Sequence, residues 1–66
     1  MDALRRMAQA VVRSDTATID DLWLRFRRQG GGVQRCEFEA FIFDMLAMDD
    51  YDQYILEVVL VDVQGR

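Results

Sequence analysis

Residues 18–32 read TIDDLWLRFRRQGGG, and this stretch decides the fold. Ile19, Leu22, Trp23 and Phe26 recur at the three- and four-residue spacing that lines one face of an α-helix. Thr18 stands where a hydroxyl can accept from the free N–H groups of a first turn. Asp20 and Asp21 follow at the positive end of the helix dipole, and Arg27 and Arg28 lie at the negative end. Asp21 and Arg25 are spaced for an i, i+4 ion pair. Gly30 suits the left-handed position just past a helix, and Gly31 and Gly32 extend the stop into a flexible turn, a hinge inside one domain. A helix apolar on one face needs neighbours to cover that face.

The flanking segments supply them. Residues 2–13 form an amphipathic helix with Leu4, Met7, Ala8, Val11 and Val12 on one face and Arg5, Arg6, Gln9 and Arg13 on the other. Asp2 is placed to serve its first turn. Residues 34–47 form a third helix, with Phe38, Phe41, Ile42 and Met45 on its main face and Leu46 at the edge. Glu37 and Glu39 lie in its first turn. A second stripe, Cys36, Ala40, Phe43 and Ala47, runs down the opposite side, so this helix is expected to be sandwiched by the first helix or by another chain. Asp49 and Asp50 start a fourth segment, 50–63, with Tyr51, Tyr54, Ile55 and Val58 on one face and Leu56, Leu60 and Val63 on another. Its β-branched run, ILEVVLVDV, also suits a strand, but the acidic start and the lack of a partner strand favour helix. The result is a single all-α domain over residues 1–66, a small bundle of three to four short helices. Its core is expected around Trp23, Phe26, Phe38, Phe41, Ile42 and Ile55.

Composition limits the function. The chain has 66 residues, a net charge of −4, no His, one Cys, and Arg as its only basic residue. Avoidance of Lys and Asn suggests a high-GC bacterial genome. A lone Cys makes no internal disulfide, which points to a reducing cytoplasm. No apolar run reaches the ~18–20 residues of a membrane span and no secretion signal opens the chain. The charges are segregated: residues 1–36 carry a net of +3 and residues 37–66 a net of −7.

Each chemical arrangement has a plainer reading. Without His there is no ordinary base near neutral pH, and Ser14, in a helix-breaking Ser-Asp-Thr segment, reads as a cap rather than a nucleophile. No enzyme, cofactor or small-molecule substrate is expected. Asp44, Asp49, Asp50, Asp52 and Glu57 do not match the calcium-loop pattern in either frame tried, so no metal site is expected. Cys36, between apolar stripe-mates and beside Glu37 and Glu39, reads as a small packed hydrophobe. Surplus apolar surface remains. The expected contact surface is an apolar patch on helices 3 and 4, made by Phe43, Leu56, Leu60 and Val63, with an acidic rim of Asp49, Asp50 and Asp52. That describes a small regulatory protein acting through protein–protein contact, with a protein partner or as a homodimer. The alternatives are a nucleic-acid-binding regulator using Arg25, Arg28 and Arg35 around the glycine turn, and an acidic inhibitor that imitates nucleic acid.

The run Ile19–Phe26, the glycine turn, Glu37-Phe38-Glu39-Ala40-Phe41 and a helix ending in Met45-Leu46 resemble a class of small helical proteins from high-GC actinobacteria. Those proteins carry a D/E-x-LW-x-R-aromatic helix, a Gly-Gly turn and an E-x-E-A-aromatic helix, followed by another helix. The resemblance spans about residues 19–60. It implies a helical fold and brings no activity or site with it.

Overall fold

A computed structural model describes residues 2–44 and 46–65, with the side chain of Asp2 left aside. The described residues form four helices: α1 (Asp2–Arg13), α2 (Ile19–Arg28), α3 (Arg35–Phe43) and α4 (Asp50–Gln64). The fold is all-α, and residues 50–64 are helix rather than strand. The capping expected of Asp2 and the core position expected of Met45 fall outside the described side chains and residues.

The caps follow from the residue types. Thr18 Oγ1 accepts the Asp21 N–H at 3.0 Å, and Asp49 Oδ1 accepts the Asp52 N–H at 2.8 Å. At α3, the Glu37 carboxylate reaches back to the Gln34 N–H at 3.2 Å. The ends of α1 and α2 share one device. The Gly31 N–H reaches Phe26 O and the Gly30 N–H reaches Arg27 O, with Gly30 at φ 105°. The Thr16 N–H reaches Val11 O and the Asp15 N–H reaches Val12 O, with Asp15 at φ 61°. Both are Schellman closures, one through Gly and one through Asp.

Packing pairs the two halves of the chain. α1 packs on α3 and α4, and α2 packs on the same two helices. The core is Ala8, Val11, Leu22, Phe26, Phe38, Phe41, Ile42, Ile55, Leu56, Val59 and Leu60, with Ala17 and Met48 at its margins. The Phe26 and Phe38 rings meet at 5.0 Å between centroids. Of the expected core, only Trp23 sits at the edge: it is half-buried, with Nε1 donating to Val33 O at 3.1 Å and Arg27 stacked over the ring.

Four expectations are corrected. First, α4 presents its other face inward. Asp52, Ile55, Leu56, Val59, Leu60 and Val63 lie at i, i+3, i+4, i+7, i+8 and i+11 and turn to the core, while Tyr51 and Tyr54 are exposed. Asp52 interrupts the apolar pattern of that stripe, which hides it in the sequence. Second, α3 ends at Phe43 instead of 47. Its last carbonyls are taken by α1: Arg5 Nε donates to Phe41 O at 2.6 Å and Gln9 Nε2 to Ile42 O at 2.7 Å. Arg5 is therefore buried, not on the solvent side of α1. Third, the glycine turn is packed into the fold rather than open. Gly31 is buried, and any Cβ there would lie 2.3 Å from the Phe26 ring. Gly32 N–H donates to Asp52 Oδ1 at 3.1 Å. Fourth, Cys36 is exposed rather than packed.

Candidate functional site

The structure breaks up the expected apolar patch. Leu56 and Leu60 are completely buried, because α1 and α2 both close over α4. Val63 packs against the core margin. Phe43 is half-buried and covered within the chain, with the Arg13 guanidinium 6.0 Å from its ring centroid. The acidic rim is divided as well. Asp49 caps α4 and Asp52 points inward to Gly32, which leaves Asp50 outward. No three His, Cys, Asp or Glu side chains converge as a metal-binding group among the described residues.

The arginine cluster is likewise dispersed. Arg25 Nη1 reaches Asp62 on α4 at 3.4 Å, rather than Asp21 one turn away. Arg35 bonds Asp20 through Nε and Glu39 through Nη1. The hydrogen bond and charge of Asp20 are the main reason its guanidinium pKa is raised above the ordinary arginine value. Asp20 is in the first turn of α2 and Arg28 in the last. Eight residues of helix, about 12 Å, therefore separate the anchoring point of Arg35 from Arg28. Two of the three guanidiniums, those of Arg25 and Arg35, are engaged by carboxylates.

A different surface comes together between α1 and α4. Ala3, Leu4 and Met7 form one wall of an open groove of about 400 Å³, and Asp50, Gln53, Tyr54 and Glu57 form the other. Tyr54 is 62% exposed and Met7 36% exposed, although both have large apolar bodies. The charged side chains that line the groove, Asp50 and Glu57, are both acids. Asp50, Tyr54 and Glu57 share the i, i+4, i+7 spacing of one α4 face. The sequence pattern contains this stripe, but aromatic Tyr51 and Tyr54 there mimic a core face.

α1 and α4 are packed against each other, and the lining residues all lie on them, so the walls of the groove are regular elements rather than loops. No described helix is long and apolar enough to cross a membrane. No protein-family model, curated protein or solved structure matches the chain.

Proposed function

We propose that this chain is a small cytoplasmic interaction protein, non-enzymatic and regulatory, that acts by protein–protein contact through the α1/α4 groove. The observation that carries this reading is the placement of Met7 and Tyr54. Two large side chains that could bury apolar surface stand partly open on the two helical walls of the groove. Aromatic residues and Met are enriched in the buried centres of interfaces, where desolvating them supplies much of the affinity. The non-enzymatic part is supported by the lack of His and by Ser14, whose hydroxyl bonds Val11 O and Thr16 Oγ1 in the turn after α1.

A foreign partner fits better than a second copy. A symmetric dimer through this groove would bring Asp50 and Glu57 of both copies into one interface with no base among the lining residues. Nucleic acid is disfavoured too, since Arg25 and Arg35 are already held by carboxylates. Photo-crosslinking tests the reading. A benzophenone amino acid placed at position 54, and separately at position 28, is irradiated in the cells that make the protein. Protein adducts from position 54 and none from position 28 are the expected result. Adducts from 28 alone, or none from 54, would end it.

A further inference from the structure

We infer that the α1/α4 groove accepts an amphipathic helix of about three turns, with a narrow apolar face flanked by Lys or Arg. This rests on the groove being the contact surface, and it names what fills it.

The first argument is about backbone. Both walls are the sides of helices, whose N–H and C=O groups bond within the helix beyond the first-turn N–H groups at the starts of α1 and α4. They offer no free row of donors and acceptors to an extended peptide. Such a peptide would be desolvated against them with its own backbone unmatched. A helix brings its backbone already paired, and adds to the bundle as one more member.

The second argument is about length and spacing. Asp50, Tyr54 and Glu57 line the groove, and Val61 continues their i, i+4, i+7, i+11 stripe one turn beyond it on α4, where Tyr54 and Val61 are 62% and 60% exposed. Eleven residues of helix rise about 16 Å, which is three turns. The stripe alternates acid, aromatic, acid and aliphatic. Across the groove, Ala3 and Met7 are one turn apart and carry no charge. A partner helix with one apolar seam meets Met7 and Tyr54 together.

The third argument is charge. α4 contains four acids and no base. Asp62 holds Arg25, and Asp52 holds the Gly32 N–H. Asp50 and Glu57 remain beside the apolar centre, on the edge that a flanking Lys or Arg would approach. Their potential speeds the approach of a cationic helix and repels anionic lipid or nucleic acid.

Fluorescence anisotropy on the full chain decides it. The probes are a labelled 15-residue helical Leu/Lys peptide, its Leu/Glu counterpart, and an unstructured Lys/Ser peptide of the same charge. Binding of the Leu/Lys peptide alone is expected, weakening as salt rises. Tyr54→Ala and Glu57→Lys each alter an exposed residue and are checked for unchanged circular dichroism. Each is expected to weaken binding by roughly tenfold. Absence of binding to the Leu/Lys peptide overturns the inference. So does equal binding of the Lys/Ser peptide, or affinity unchanged in both variants. A concentration-dependent rise in sedimentation coefficient that Tyr54→Ala abolishes would assign the groove to a second copy instead. Where adducts form at position 54 but the Leu/Lys peptide fails, only the choice of occupant falls. Where both fail, the groove itself is not the contact surface.

Discussion

The guanidinium of Arg5 lies 4.6 Å from the centre of the Phe41 ring and donates its Nε proton to the carbonyl of the same residue at 2.6 Å. Its Nη2 reaches Leu46 O at 3.3 Å. A charge is thus placed at the negative end of α3, a helix with no basic residue in its own last turn. The cap comes from a residue 36 positions earlier in the chain. Removing it leaves two carbonyls without that donor and breaks the stack on Phe41. Arg5→Met is expected to cost about 2–3 kcal/mol, which lowers the melting temperature by roughly 10–20 °C in a domain this small. Arg5→Lys keeps the charge but not the planar fork, and falls between the two. Thermal melts followed at 222 nm measure all three proteins.

The three glycines are expected to respond differently to alanine. Gly31→Ala drives a methyl into the Phe26 ring, and Gly30→Ala strains a positive φ with Tyr51 Oη 2.9 Å away. Gly32→Ala meets nothing closer than Asp52 Oδ1 at 3.9 Å. Gly31→Ala should therefore cost about 2–3 kcal/mol or more, Gly30→Ala about 1–2 kcal/mol, and Gly32→Ala within about 0.5 kcal/mol of neutral. Urea titrations read the order. Adding Phe26→Leu to Gly31→Ala should cost less than the two separate losses together, because the ring is what the methyl strikes.

Asp15 offers a stabilising change. It occupies the left-handed position that Gly30 fills at the end of α2, and its side chain is exposed. Asp15→Gly relieves the Cβ clash and is expected to gain about 0.5–1 kcal/mol. A lower urea midpoint than the parent chain would contradict this.

Leu60 and Tyr54 separate core from surface on one helix. Leu60→Ala should cost about 2–5 kcal/mol by opening a cavity, and Leu60→Asp should leave the chain unfolded. Tyr54→Ala should lie within about 0.5 kcal/mol of the parent. Circular dichroism with urea denaturation compares them directly.

Much of the fold was legible because its signals are local. Thr18, Asp49, Gly30 and the Ile19–Phe26 spacing each act within a turn or two, and they mark α2 and the start of α4 correctly. The orientation of α4 was not legible. Aromatic Tyr51 and Tyr54 lend the outer stripe the look of a core face, and the inner one contains Asp52, whose acceptor role depends on Gly32 20 residues away. The end of α3 was missed for the same reason, since Arg5 and Gln9 act from another helix. The candidate contact surface followed from these errors. Leu56 and Leu60 went inside, so the open surface moved to Met7, Tyr54, Asp50 and Glu57. Only Asp50 belongs to both versions.

The pairing of each early helix with the two late ones has a consequence for biosynthesis. The first thirty residues have no stable structure to adopt while they leave the ribosome, because their packing partners have not yet been made. The pairings of α1 and α2 with α4 form only once α4 has emerged. The four-helix unit then closes only after α4 has been translated, with Val11, Leu22 and Phe26 open to chaperones and proteases until that moment.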